Sequence, residues 1–115
     1  MTEEGRFQAR VKKWLEEYDI YSPKQNASAL SKTGVPDRFL CINGLFIGME
    51  IKKDEESKAT PIQQYNIKTI KKNDGVAFVI RPTTFKKFKE ITLGFLEDKN
   101  IDKYKKAIEK YMEVE

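Results

Sequence analysis

Histidine is absent from this 115-residue sequence, and cysteine occurs once, at Cys41. The lack of histidine excludes Ser-His-Asp and Cys-His nucleophile systems and every His-ligated metal site. A single cysteine excludes an intrachain disulfide and a cysteine zinc cluster. Because Cys41 lies in an apolar run, we expect it to be a buried core thiol. No glycine-rich phosphate loop is present, which argues against a nucleotide-driven motor. The remaining chemistry is that of carboxylates and lysines, and carboxylates are ligands suited to Mg²⁺ or Mn²⁺.

Long hydrophobic runs are missing too. No apolar stretch is long enough to cross a membrane, and the charged first ten residues lack the apolar segment of a signal peptide. We therefore expect a soluble chain that stays inside the cell, in the cytoplasm. Hydrophobic residues make up 39% of the chain and charged residues 35%, which is typical of a globular protein. The length predicts a single domain over residues 1–115.

Positive charge is concentrated in one part of the sequence. The chain has a net charge of +4, and between Pro61 and Glu90 only Asp74 and Glu90 are acidic. The basic residues of this stretch are Lys68, Lys71, Lys72, Arg81, Lys86, Lys87 and Lys89. Such a cluster is typical of a surface that contacts a polyanion. A solvated lysine-rich surface is the simpler interpretation from charge alone, so the cluster gains weight only beside an acidic metal site.

Hydrophobic periodicity and turn residues predict an α/β chain with a mixed sheet flanked by helices. The predicted elements are a helix over about Glu3–Tyr18, a weak strand over Ala27–Ser31, a hairpin of Arg38–Ile42 and Leu45–Lys52 joined by Asn43-Gly44, a helix capped by Thr60, a strand over Val76–Ile80, a helix capped by Thr84, and a last helix that carries Ile101, Tyr104, Ile108 and Tyr111. A strand–helix–strand step needs a crossover, so we expect Leu45–Lys52 and Val76–Ile80 to pair in parallel.

Two acidic residues and a lysine fall together on the predicted hairpin. Glu50 and Lys52 are two residues apart on a strand, so their side chains project from the same face. The tight turn brings Asp37 opposite the region of Glu50. Partly desolvated carboxylates that face each other repel, and a divalent cation would offset this cost. We therefore expect Asp37 and Glu50 to hold a metal, with the Ile51 carbonyl as a backbone ligand and Lys52 orienting a water.

Each piece of this pattern has a simpler interpretation. A Glu-x-Lys pair on a strand is commonly a surface salt bridge, and Pro-Asp is a common turn. The combination on adjacent strands is more specific than either piece alone.

The combination of Gly34-Val35-Pro36-Asp37 with Glu50-Ile51-Lys52 resembles the PD-(D/E)XK nuclease superfamily. It is more closely similar to the standalone VRR-NUC domain of the phage type, which in turn resembles Holliday junction resolvases. The resemblance covers a core of about residues 3–82, and residues 83–115 are predicted to form a helical extension. It implies a restriction-endonuclease-like core and an endonuclease that hydrolyses phosphodiester bonds of DNA with Mg²⁺ or Mn²⁺. Branched, junction or nicked DNA is the substrate expected from the resemblance, rather than a defined base sequence.

The resemblance also implies roles for residues outside the hairpin. Glu4, or alternatively Glu3, would contact the metal directly or through water, although either could simply favour the helix dipole. Gln63 would join Asp37, Glu50 and Lys52 in the catalytic set, near the metal water or a phosphate. Gln63 could also complete a capping box with Thr60, and its neighbour Gln64 is the alternative. The residues expected to contact the DNA backbone are Lys32, Lys53, Lys68, Lys71 and Lys72.

Two features of this interpretation have alternatives. Symmetric pairing of two chains would suit a branched or double-stranded substrate, and the aromatic-rich C-terminal helices could supply the dimer interface or complete the core. A DNA-binding module without activity would retain the fold and the basic helix, but it has no need of Lys52. A nuclease for RNA is a further alternative, in which Tyr65 and Phe85 would stack on bases.

Overall fold

A mixed sheet of three strands lies at the centre of the part of the chain that the structure describes. The structure is a computed structural model, and it describes residues 2–25 and 33–114. The elements are α1 (Glu3–Glu17), β1 (Arg38–Ile42), β2 (Leu45–Ile51), α2 (Pro61–Lys72), β3 (Val76–Ile80), α3 (Pro82–Asp98) and α4 (Ile101–Tyr111). The predicted α/β class with helices flanking a mixed sheet is confirmed. The weak strand signal over Ala27–Ser31 lies outside the described residues.

The β1–β2 hairpin forms as the turn residues predict. Asn43 and Gly44 have φ values of 52° and 83°, which a two-residue hairpin turn requires and which asparagine and glycine tolerate. The strands pair antiparallel, with Ile42 opposite Leu45 next to the turn and Arg38 opposite Met49 at the far end. The turn therefore fixes which residues of the two strands lie opposite each other.

The crossover through α2 brings β3 parallel to β2, as expected from the strand–helix–strand order. Glu50 lies opposite Val79, and Ile51 lies opposite Ile80. One residue further, the Lys52 N–H donates to the Ile80 carbonyl at 2.9 Å. Because parallel strands end at the same edge of a sheet, the last residues of β2 and the residues after β3 lie side by side.

The two faces of the sheet carry cores of different size. On one face, buried residues of the sheet such as Ile47, Met49 and Phe78 pack with the apolar residues of α1, α3 and α4. On the other face, Ala77 and Val79 pack with Ile67 of α2 and with Ala59 and Ile70. Side chains alternate along a strand, so Glu50, which lies opposite Val79, projects toward the α2 face.

Residues 21–25 line the outer edge of β1. The Cys41 N–H donates to the Tyr21 carbonyl at 3.1 Å, and the Gln25 N–H donates to the Asp37 carbonyl at 2.8 Å. Cys41 is exposed, so the expectation of a buried core thiol is wrong. The reason is strand alternation: Leu40 and Ile42 point into the larger core, and Cys41 between them points to the opposite face, beyond the cover of α2.

The C-terminal helices complete the larger core. Phe88 and Phe95 of α3 and Tyr104 of α4 are buried there, which favours the core interpretation of their aromatic residues. The prediction that Thr84 caps the third helix is wrong, because α3 begins earlier, at Pro82. Thr84 instead accepts a hydrogen bond from the Arg81 N–H through its side chain at 3.0 Å. In the ranges described, no helix combines the length and the apolar character that crossing a membrane requires.

Gly34 lies where both its backbone and its surroundings require glycine. Its φ is +78°, and a Cβ at this position would lie 2.8 Å from Cγ1 of Ile62 in α2. We expect Gly34→Ala to lower the free energy of unfolding by about 2–4 kcal/mol, because backbone strain and overpacking add. Urea denaturation measures the loss. The matched control is Gly44→Ala, at a φ of +83° with no atom within 4 Å of the added Cβ. That variant should lose only the strain contribution, about 1 kcal/mol. Equal losses in the two variants would show that the contact with Ile62 contributes nothing.

Candidate active site

Asp37 stands directly before β1 and faces the end of β2. Arg38 pairs with Met49, so the same register continued by one residue sets Asp37 opposite Glu50. The Asp37 Oδ2 atom accepts a hydrogen bond from the Ile51 N–H at 2.8 Å. The expected juxtaposition of Asp37 with the region of Glu50 is therefore present, and a side-chain contact to β2 holds it in place.

The segment that leads to Asp37 is held against α2. The buried Asn66 side chain donates to the Thr33 carbonyl at 3.2 Å and to the Ile62 carbonyl of its own helix at 2.8 Å. Pro36 covers Gly48 of β2, where a Cβ would lie 2.9 Å from its Cγ. These contacts join the first strand, the second strand and α2 around one acidic position.

Glu50 is the buried acid of the site. The residue is only 3% exposed, and its Oε2 lies 3.5 Å from the Lys52 Nζ. Its Oε1 atom is buried and has no hydrogen-bond partner among the described residues. Burial, followed by repulsion from Asp37, raises the pKa of the Glu50 carboxyl to about 7, and the positive charge of Lys52 opposes this shift. Among the described residues, the Oε1 atom thus lacks the hydrogen bond that would normally compensate its burial.

Lys52 connects the end of β2 to the start of α2. Its Nζ donates to the Gln63 Oε1 at 3.2 Å and lies 3.5 Å from Glu50. The side chain is 15% exposed, so the ammonium is largely held by these two partners. Glu50 and Lys52 share the face expected from their spacing, and Gln63 lies at the same place.

The capping-box alternative for Gln63 is present, and the same side chain also contacts Lys52. The capping box forms, with the Thr60 N–H donating to the Gln63 Oε1 at 2.9 Å and the Gln63 N–H donating to the Thr60 Oγ1 at 3.3 Å. The same Oε1 accepts from Lys52, so the cap also fixes the position of the lysine. Gln64, the alternative, donates to the Ala59 carbonyl of its own segment at 3.0 Å.

The N-terminal glutamates are not brought into this group. Glu3 and Glu4 are exposed in the first turn of α1. Across residues 2–25 and 33–114, no three His, Cys, Asp or Glu side chains come together in a way that could hold a metal, so Glu4 does not join Asp37 and Glu50. In α1 the glutamates occupy positions that favour the helix dipole, which is the alternative that the sequence left open.

The predicted DNA-contacting lysines are spread along α2 and its flanks. Lys53 is exposed and directly follows Lys52, and Lys68 and Lys72 are exposed on α2. Lys71 forms an ion pair with Glu109 at 3.1 Å. At a rise of about 1.5 Å per residue, Lys71 lies about 12 Å along the helix from Gln63, so this end of α2 is remote from the acidic pair. Lys32 lies outside the described residues.

The donor set at the strand ends fits a hard divalent cation. Asp37 and Glu50 supply carboxylate oxygens, and one buried oxygen of Glu50 has no other partner in the described structure. Oxygen ligands of this kind suit Mg²⁺ or Mn²⁺. A cation here would replace the hydrogen bonds that the Glu50 carboxylate lacks.

Sequence reasoning missed two residues that hold the site together. Asn66 has no role in the sequence analysis, yet its buried amide ties α2 to the Thr33 carbonyl. Arg81 was counted only among the basic residues of the cluster that could contact a polyanion, yet it is 4% exposed. A polar residue on the apolar face of a helix and an arginine directly after a fully apolar strand are signals that could have pointed to both.

The Glu50 pKa predicts a pH-dependent stability. Because this pKa rises from 4.5 to about 7 on folding, the folded chain binds more protons than the unfolded chain between these values. Stability therefore falls as the pH rises through this window, and the penalty is complete above about pH 7. Glu50→Gln should unfold like the wild type near pH 4 and be more stable by about 3 kcal/mol at pH 8.

Urea denaturation in EDTA across this pH range measures the difference between Glu50→Gln and the wild type. The control is Glu97→Gln, which changes an exposed carboxylate of α3. A stability difference that stays constant from pH 4 to pH 8 would contradict the burial cost assigned to Glu50.

Comparison with known proteins gives structural relatives for this fold. No family model and no curated protein matches the sequence. A solved structure described as a VRR_NUC domain aligns with a TM-score of 0.67 and 26% identity, over 83% of this chain and 99% of its own. Another, described as a VRR_NUC domain protein, aligns with a TM-score of 0.60 and 23% identity, over 96% of this chain and 88% of its own. The resemblance to VRR-NUC domains is thereby confirmed, and the chain has the nuclease-like α/β fold of these structures.

Proposed function

We propose that this chain is a metal-dependent endonuclease that hydrolyses phosphodiester bonds of DNA. The observation that carries the proposal is the buried Glu50 carboxylate, whose Oε1 has no partner in the described part of the chain, opposite Asp37 and beside Lys52 at one end of the hairpin. A surface salt bridge, the simpler interpretation of Glu50 and Lys52, does not account for a glutamate that is 3% exposed. The likeness to structures named as VRR_NUC domains supports the nuclease assignment.

Asp37 and Glu50 would hold the cation, Mg²⁺ or Mn²⁺, with the Ile51 carbonyl as a backbone ligand. We keep Glu4 as an indirect contributor through water, since it does not lie with the two carboxylates. When bound, the cation would polarise the scissile phosphate and lower the pKa of a neighbouring water. The two carboxylates would thus hold the cation at the end of the hairpin, next to Lys52.

Lys52 would supply the positive charge that the reaction needs. In hydrolysis, the oxygen of water forms a bond to phosphorus and the bond between phosphorus and the leaving oxygen breaks. Negative charge then grows on the phosphoryl oxygens, and a fixed ammonium stabilises it. Gln63 holds Lys52 from α2, while Glu50 holds it from β2. The ammonium is therefore positioned before the substrate arrives, which reduces the cost of reorganisation.

The substrate we propose is branched or duplex DNA, contacted through its phosphates rather than its base edges. A chain of this size has few elements left to read bases once the core is built. Phosphate contacts would come from exposed lysines: Lys53, Lys68 and Lys72, together with Lys32 and Lys71.

A homodimer, which would set two sites against a branched substrate, stays a prediction. A DNA substrate agrees with the intracellular location expected from the sequence, and the phage type stays an expectation from the resemblance.

Cleavage of labelled DNA tests the proposal. Four-way junction, flap, linear duplex and single-stranded substrates are incubated with Mg²⁺, Mn²⁺ or EDTA. We expect cutting that needs the metal and is fastest on branched DNA. Glu50→Ala and Lys52→Ala should each reduce the rate by roughly 100-fold or more, since each removes a group that acts on the reacting phosphate.

The matched control for these variants is Glu97→Ala, which removes an exposed carboxylate of α3. It should cut like the wild type. Cutting in EDTA, or full activity in Glu50→Ala, would contradict the proposed site. If the wild type binds DNA with a steep salt dependence but cuts no substrate with either metal, the endonuclease proposal fails.

The two contacts of Gln63 can be separated by substitution. Gln63→Ala and Thr60→Ala each break the capping box, and each should cost about 1 kcal/mol of stability. Only Gln63→Ala removes the acceptor that holds Lys52. We therefore expect cleavage by Gln63→Ala to fall by roughly 10-fold, while Thr60→Ala stays within about twofold of the wild type. Equal rates in the two variants would mean that Gln63 is only a cap.

A further inference from the structure

Arg81 is a buried arginine at the edge of the sheet where β2 and β3 end. It directly follows β3, and Lys52, one residue beyond β2, donates its N–H to the carbonyl of the preceding residue, Ile80. Only 4% of Arg81 is exposed, so its guanidinium needs partners for its donors. The identity of these partners decides what the residue does.

One side of the guanidinium holds the loop between β2 and α2. The Nη1 atom donates to the carbonyls of both Asp54 and Ser57. The loop is also closed on itself, because the Asp54 Oδ1 accepts from the Glu56 N–H at 3.0 Å and from the Ser57 N–H at 2.8 Å. Arg81 thus fixes a compact turn that begins two residues after Lys52 and leads into the cap of α2.

The other side of the guanidinium is held by the segment after α4. Arg81 Nε donates to the Glu113 Oε2 at 2.8 Å, and Nη2 donates to the Glu113 Oε1 at 3.2 Å. This is a two-point contact between planar groups, which fixes orientation as well as distance. The backbone of Glu113 is held separately, because its carbonyl accepts from the Val79 N–H at 2.7 Å. The side chain can therefore be changed without freeing the segment.

We infer that Glu113 and Arg81 form a positioning pair that fixes the Asp54–Ser57 loop and, through it, the contact between Lys52 and Gln63. The inference rests on the proposed function, since it assigns a role in the same site to a residue of the C-terminal extension. Lys52 lies before the loop and Gln63 lies after it. The position of one relative to the other depends on the loop, which Arg81 holds from the outside through two carbonyls, while the Thr83 hydroxyl donates to the Glu55 carboxylate of the same loop.

The decisive variant is Glu113→Gln, which keeps the size of the side chain but removes its charge. The matched control is Asp98→Asn, the same kind of change in an exposed ion pair with Lys103 of the same helical extension. Two measurements are made on the full chain. One is the cleavage rate as kcat and KM on the best DNA substrate, and the other is hydrogen exchange of the Glu56 and Ser57 amides.

We expect Glu113→Gln to speed exchange of both loop amides several-fold and to lower kcat by roughly 10-fold, with KM within about twofold of the wild type. Asp98→Asn should change none of these values. Loop exchange that is unchanged, or a loop that is released without loss of kcat, would overturn the inference. A wild type that cuts no DNA would overturn the proposed function instead, and the loop exchange would still show whether Glu113 holds the loop.

Discussion

The burial of one carboxylate is the constraint on which the rest of the site depends. Glu50 lies in a strand whose neighbours are apolar, and it faces Asp37 across the hairpin. Removing such a group from water is costly, and a second carboxylate nearby adds repulsion. Lys52 offsets part of this cost but leaves one oxygen of Glu50 without a partner in the described structure. The raised pKa of Glu50 reflects the part of this burial and repulsion cost that Lys52 does not offset.

Three contacts hold the residues around Glu50 in place, although the burial of its carboxylate is unfavourable. The Asp37 side chain is tied to the Ile51 N–H, and the segment before it is tied to Asn66 of α2. Lys52 is held by the cap of α2. The contacts of Asn66 and Gln63 join α2 to segments that strand pairing alone would not fix relative to this helix. The two hydrophobic cores stabilise the fold, and the polar contacts set the positions of the site residues within it.

The hairpin and its acidic pair could be predicted because their geometry is local. Asn43-Gly44 permits one tight turn, and that turn sets Asp37 opposite Glu50 by counting residues along the two strands. The contact between Arg81 and Glu113 joins residues 32 apart, and no spacing rule encodes it. The exposure of Cys41 was missed for a similar reason: an apolar run does not reveal that α2 covers only part of the sheet face.

On the proposed function, a single cation would relieve two different penalties. Without it, ionisation of Glu50 lowers the stability of the fold as the pH rises toward about 7, and a DNA phosphate that approaches meets the negative charges of Asp37 and Glu50. The positive net charge of the chain attracts a polyanion in general, but beside the acidic pair Lys52 supplies one positive charge against two carboxylates. A bound cation would neutralise the pair at that distance. The acidic pair that destabilises the folded chain would then also be the feature that requires a cation before a phosphate can approach.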